Sequence, residues 1–131
     1  MTPTSSADEA ASFAACEAIA ATLQQYIDSA RAGDSDLMRR AFVSGAAVRG
    51  SYGGKPVDWT VEEFCAVIAK GGPAADLRAR IVAIEIAGSA AMARLEAENW
   101  RGTRYTDFFV MILRDHAWRI SSKVFFAHTH A

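Results

Sequence analysis

Asp107 is the residue whose type and setting most clearly could do chemistry. It interrupts Tyr105-Thr106-Asp107-Phe108-Phe109-Val110-Met111-Ile112-Leu113, a run otherwise apolar on both faces of an expected strand. Strands of that kind are buried, and a buried carboxylate without a partner carries a heavy desolvation cost or takes up a proton. Two readings stand for it. Asp107 makes a structural hydrogen bond to a neighbouring loop or to Tyr105, or it is a neutral acid lining a cavity and able to donate to a ligand oxygen. Alternation puts Tyr105, Phe109 and Met111 on its face of the strand. In the expected last strand, Trp118, Ile120, Ser122, Val124, Phe126 and His128 share one face, opposed by Arg119, Ser121, Lys123 and Phe125. Lys123 then reads as a surface lysine whose stem snorkels along the sheet rather than as a Schiff-base amine.

The remaining chemical groups are sparse. Glu96 and Glu98 share a face with Arg94, as in a solvated or ion-paired surface. His128 and His130 are spaced i, i+2 with no third ligand in sight, and His116 sits in a hairpin turn, so no metal site is expected. No Ser-His-Asp order, phosphate loop or dinucleotide fingerprint is present, and no cofactor is expected. The formal net charge is −1 with no basic run, which gives no footprint for nucleic acid or an anionic membrane. No Lys or Arg precedes Arg31, so the Ala-rich stretch of residues 10–21 lacks a signal peptide's charged start; it carries Glu17 and is too short to span a bilayer. Cys16 and Cys65 are not a disulfide framework, and a reduced, cytoplasmic setting is expected.

The elements that must position these groups follow from pattern. With 131 residues the chain is one domain, large enough to bury about two-thirds of its unfolded surface. Residues 1–12 are expected to be a flexible N-terminus and the start of a helix, and residues 13–131 the domain itself. Ser6 and Glu9 have capping-box spacing; Phe13, Cys16, Ala20, Leu23, Ile27 and Ala30 then form an apolar stripe ended by Gly33. Asp34 starts a short second helix, and residues 46–52 read as a strand running into the turn Gly53-Gly54-Lys55-Pro56. Thr60 and Glu63 cap a third helix, stopped by Gly71-Gly72-Pro73. Four long strand patterns follow, over residues 78–87, 90–101, 103–113 and 117–127, joined by tight hairpins. Helices segregated from strands argue α+β, with the helices covering one face of a strongly coiled antiparallel sheet and leaving a cone with an open mouth. The apolar outer face of that sheet calls for a second cover, and a twofold homodimer pairing the outer faces supplies it.

Three segments carry a resemblance to a known group. They are Tyr26-Ile27-Asp28-Ser29-Ala30-Arg31-Ala32-Gly33-Asp34, then Ala41-Phe42 through Ala47-Val48-Arg49-Gly50, then Tyr105-Thr106-Asp107-Phe108-Phe109 through Trp118 to Phe125. The chain resembles the nuclear transport factor 2-like (cystatin-like) superfamily, which houses ketosteroid isomerase, polyketide cyclases and SnoaL-like proteins; within it the nearest likeness is to the small bacterial proteins of the "Putative lumazine-binding" family. The resemblance implies the cone-shaped fold with three N-terminal helices on a curved antiparallel sheet. In ketosteroid isomerase, a worked case of pKa tuning, a base acts with an oxyanion hole made of a tyrosine and a protonated aspartic acid. By the resemblance Tyr26 and Asp107 fall at the hole's positions, and Gly50 falls where the base belongs. Glycine has no proton to move, so the isomerase activity does not carry over.

The expected site follows from both lines. Asp107 is the candidate acid. Tyr26, Trp59, Tyr105, Asp107, Phe109, Met111, Trp118 and Ser122 are expected to line an apolar, aromatic pocket for a small apolar or aromatic molecule. Each has a plainer reading, Tyr26 as a core tyrosine and Trp59 as a hydrophobic staple among them. Three functions compete: a small-molecule-binding protein, an acid–base enzyme (isomerase, dehydratase or cyclase-like) without the usual base, and a dimerisation or protein-interaction module. Half a catalytic constellation favours the first.

Overall fold

A computed structural model describes residues 6–128, with side chains from residue 11 onward. The flexibility expected of the N-terminus, the side chains of the Ser6–Glu9 pair and His130 lie outside that description. Helix α1 (Ser6–Ala32) buries Ile19, Leu23, Tyr26, Ile27 and Ala30, spaced at one- to four-residue steps along one face. Its apolar stripe starts later than expected, because Phe13 and Cys16 are exposed. Gly33 ends the helix at φ 67°, and a Cβ there would lie 2.7 Å from the backbone of Gly72 and Pro73, so both conformation and space require glycine. Asp34 caps α2 (Ser35–Arg40) by accepting the Leu37 amide at 3.0 Å.

Strand β1 (Phe42–Tyr52) turns through Gly53 and Gly54, both at positive φ, into β2 (Lys55–Thr60). The expected turn thus ends at Gly54, and Lys55 and Pro56 begin a strand that pattern alone did not show. It is an edge strand, where proline is tolerated because the missing amide is not needed by a second neighbour. Thr60 and Glu63 close a capping box at the start of α3 (Val61–Gly71), with bonds of 3.1 and 3.0 Å. The chain then runs through β3 (Arg78–Ala87), β4 (Ala90–Trp100), β5 (Thr103–Arg114) and β6 (Ala117–His128).

These strands form one six-stranded sheet in the order β2-β1-β6-β5-β4-β3. Every neighbouring pair is antiparallel except β1 and β6, which run parallel. An all-antiparallel sheet is therefore corrected to a mixed one. The β3–β6 meander begins after the α3 crossover, and its fourth strand reaches β1 running in the same direction. The core joins Leu23 and Tyr26 of α1, Phe42 and Val48 of β1, Phe64 of α3 and the inner residues of β4, β5 and β6, including Leu95, Phe109 and Ile120.

Two irregularities in this sheet decide what faces inward. Val110 pairs with Ser122 but Met111 pairs with Ile120, so Ser121 is an extra residue in β6. A bulge of one residue moves everything beyond it to the other face. Trp118 and Ile120 are buried before it; Lys123, Phe125 and Ala127 are buried after it, while Val124 and Phe126 are about half exposed. The expectation of a surface Lys123 is corrected on this point. A second shift, between Ala97 and Trp100 of β4, puts Trp100 opposite Thr103 beside Tyr105, with Asn99 and Arg101 at positive φ.

Candidate functional site

A cavity of about 520 Å³ lies between α3 and the inner side of the sheet. Its walls include Trp59, Phe64, Trp100, Tyr105 and Phe125, and Lys123 is the cation among the inner lining. Trp59 comes from β2 and stacks against both Phe64 and Phe125, each at 6.3 Å between ring centres. Tyr105 meets Trp100 and Phe125 edge-on at 5.6 and 5.8 Å. The Arg101 guanidinium, from the β4–β5 hairpin, donates to the Gly71 carbonyl at the end of α3. Both residues border the cavity, so this bond ties hairpin to helix beside it.

Lys123 is 3% exposed, and its Nζ sits among four rings: Phe64 at 4.5 Å, Tyr26 at 4.9 Å, Phe125 at 5.1 Å and Trp100 at 5.3 Å to the centres. The amine donates to the Tyr26 hydroxyl. That hydroxyl in turn donates to Asp107 Oδ2 at 3.4 Å, a long bond, while Asp107 Oδ1 is 3.9 Å from Nζ and, among the described residues, has no hydrogen-bond partner. Phe109, whose Cα partner across the ladder is Lys123, packs edge-on against the Tyr26 ring at 5.1 Å. The result is a buried row of amine, phenol and carboxyl with one acceptor lone-pair site unused.

Burial governs the electrostatics of that row. It pushes the Asp107 carboxyl up, a trend that the Lys123 charge and the Tyr26 hydrogen bond partly offset. It pushes the Lys123 amine down, and the charge of Asp107 partly restores it. Tyr26 is held well above the ordinary phenol range by burial and by Asp107. Tyr105, half buried in the wall, is raised to about 12, chiefly by desolvation. Both members of the Lys123–Asp107 pair are thus drawn toward their neutral forms, which is the direction that makes an amine nucleophilic and a carboxyl a donor.

The structure distributes the eight expected residues among four places. Trp59 and Tyr105 line the cavity. Tyr26 and Asp107 stand together behind it and reach it through Lys123, which periodicity had placed on the outside. Phe109 and Met111 are fully buried core, and Trp118 is buried with its carbonyl accepting from Thr22 Oγ1 at 2.8 Å. Ser122 pairs with Val110 on the outer side of the bulge. Lys123, Phe64, Trp100, Phe125 and Arg101 were not anticipated. The Gly-rich stop after α3 was the one sign that something there closes on a neighbour.

Position 50 can be judged directly. Gly50 is the parallel partner of Phe125, and a Cβ on it would press on the Phe125 carbonyl and come within 2.6 Å of the ring. Glycine is there because Phe125 fills the space any side chain would need.

Residues 14–126 match the family described as "Putative lumazine-binding". The chain belongs to that family. Solved structures similar to it include a nuclear transport factor 2-like protein of unknown function from Methylobacillus flagellatus KT, 32% identical over 87% of this chain and 92% of that one, with a TM-score of 0.83. Another is a nuclear transport factor 2-like protein of unknown function from Shewanella baltica, 29% identical over 97% and 99% of the two chains, TM-score 0.82. A ketosteroid isomerase-like protein from Erwinia carotovora is 13% identical over 86% and 95%, TM-score 0.67, a likeness of fold alone. No curated protein is similar enough to count as a match. For a member of the "Putative lumazine-binding" family the cavity, rather than the ancestry, must argue the function. Among the described residues no helix is long and apolar enough to cross a membrane, and no group of three or more His, Cys, Asp or Glu could hold a metal.

Proposed function

We propose that this protein binds a small, flat, apolar or aromatic molecule in the conical space beneath α3, holding its polar end at Lys123. The observation that carries the reading is the buried Lys123 amine, bonded to Tyr26 and backed by Asp107, at the inner wall of an otherwise aromatic cavity. Flat rings suit walls built from Trp59, Phe64 and Phe125, and a few convergent polar groups fix orientation. An acid–base enzyme of the isomerase kind is disfavoured because Phe125 occupies the place of the missing base. Cys16 and Cys65, both free, suit a reducing cytoplasm.

A homodimer through the outer sheet face belongs to the same reading. Phe108, Val110, Val124 and Phe126 are 44–54% exposed on adjacent strands β5 and β6, a contiguous apolar surface that a second copy would cover.

Trp59 and Trp100 in the walls supply the assay. Titration with lumazine and with 2-naphthol, followed by tryptophan fluorescence, is expected to give saturable quenching that weakens in Lys123→Met. Native mass spectrometry of the purified protein is expected to show a copurifying small molecule. Fluorescence blind to every such probe, with no bound mass, refutes the reading.

A further inference from the structure

We propose that Lys123 captures its ligand covalently, as an imine with an aldehyde or ketone. This rests on the binding reading above and adds to it the class of ligand and the bond it forms. Three observations carry it. Lys123 lines the cavity, which brings a ligand carbonyl to its side chain, yet the residue is 3% exposed and so shielded from bulk water that would hydrolyse the product. Its hydrogen-bonding partner is a phenol that itself bonds to a carboxyl, which gives a relay for the protons an imine must shed and take up. Finally, the four rings around Nζ, at 4.5–5.3 Å, attract positive charge there whether it is on an ammonium or on a protonated imine, so the cage supports the product as well as the free residue.

The step balances without a co-reactant. The Nζ lone pair bonds to the carbonyl carbon while the C=O π pair moves to oxygen, and the proton lost from nitrogen passes through Tyr26 to that oxygen. The nitrogen lone pair of the resulting carbinolamine then forms C=N as the C–O bond breaks; a protonated Asp107 supplies, through Tyr26, the proton with which the hydroxyl leaves as water, and the Asp107 carboxylate so formed takes up the proton left on nitrogen. Amine and carbonyl give imine and water, with no change of oxidation state. Desolvation of the amine, the usual means of making a lysine nucleophilic, acts in the same direction. Asp107 Oδ1, without a partner among the described residues, is placed 3.9 Å from the nitrogen where the iminium charge would develop.

The chain has three lysines, and Lys55 and Lys70 are exposed, so they serve as internal references. The full chain is incubated with 2-naphthaldehyde and cyanoborohydride, which reduces any imine to a stable amine, and the adduct is mapped by peptide mass spectrometry. In parallel, 2-naphthalenemethanol, which has the same ring and no carbonyl, is titrated by tryptophan fluorescence. Lys123 is expected to label about tenfold faster than Lys55 and Lys70. The alcohol should suppress that labelling, and Tyr26→Phe should slow it about a hundredfold, well beyond whatever it does to the affinity for the alcohol. If the alcohol binds but Lys123 labels no faster than Lys55 and Lys70, covalent capture is overturned and the binding reading stands. If neither compound binds and Lys123 does not label, both are overturned.

Discussion

Replacing Lys123 by methionine keeps the buried stem and removes the charge that faces Asp107, which isolates the electrostatics of the row. In the unfolded chain an aspartate titrates near pH 3.9. In the folded protein burial already raises Asp107, and the Lys123 charge is the chief influence pulling the other way. Without it, and with Oδ1 lacking a hydrogen bond, the folded carboxyl is raised further above its unfolded value and keeps its proton wherever the pH lies between the two. The folded state then binds one proton more than the unfolded state. Stability must therefore fall as pH rises through that window, by about 1.36 kcal/mol per unit, so by up to about 2.7 kcal/mol between pH 5 and pH 7. At pH 7 protonating a carboxyl of ordinary acidity costs about 4 kcal/mol, which caps the penalty for leaving Asp107 alone. The double variant Lys123→Met/Asp107→Asn has nothing to titrate there and lacks this slope. Urea unfolding of both variants at pH 5, 6 and 7, followed by circular dichroism, measures the difference. The advantage of the double variant over the single one should grow across that range, by up to about 2.7 kcal/mol. Parallel pH dependences of the two variants would refute the argument, because Asp107 would then titrate as an ordinary solvated carboxylate.

Other perturbations test other parts of the structure. Gly50→Ala drives a methyl group into the Phe125 carbonyl and ring, so it should cost about 3 kcal/mol, the upper end for overpacking, and lower the melting temperature by roughly 10 °C in calorimetry. A melting temperature unchanged within error would show that β1 and β6 part easily at that point. Thr60→Ala removes the cap of α3 and leaves the Glu63 amide without its partner, for a loss of about 1 kcal/mol in chemical denaturation. Val124→Arg puts a charge on the outer face about 50% exposed in one chain; sedimentation should show a dimer becoming a monomer while probe binding in the cavity persists. Monomeric wild-type protein at micromolar concentration would refute the dimer.

The helices were legible because their signals are local. The Thr60–Glu63 box and the Gly33–Asp34 cap occur where the side chains say they must, and each is a contact within four residues. Asp107 was legible for a different reason: a charge in an apolar strand is costly wherever the strand lies, and the structure finds it fully buried between Tyr26 and Lys123. Lys123 was read on the wrong face because Ser121 and Ser122 are equally at home inside or outside, so the run Ile120-Ser121-Ser122-Lys123 gives no sign of where the alternation slips. Strand β2 was missed because six residues opening with Lys55 and Pro56 look like the end of a turn, and its pairing to β1 is a long-range fact. Trp100 and Phe125 came to the cavity through the two register shifts, which depend on partner strands rather than on their own neighbours in sequence.

The parallel pairing of β1 with β6 has a consequence for how the molecule is made. The β1–β2 hairpin joins the rest of the sheet only through β6, the final strand in chain order. A growing chain that has completed α1, β1, β2 and α3 holds Tyr26, Phe42 and Phe64 ready but has no surface to seat them on until the β3–β6 meander has left the ribosome. Assembly of the sheet's middle is then a late, long-range closure, slow by the measure of contact order, with a sticky edge exposed in the interval. The residue that completes the cavity, Lys123, arrives on the strand that completes the fold, so a chain stalled or cut short before β6 lacks its binding chemistry as well as its stability.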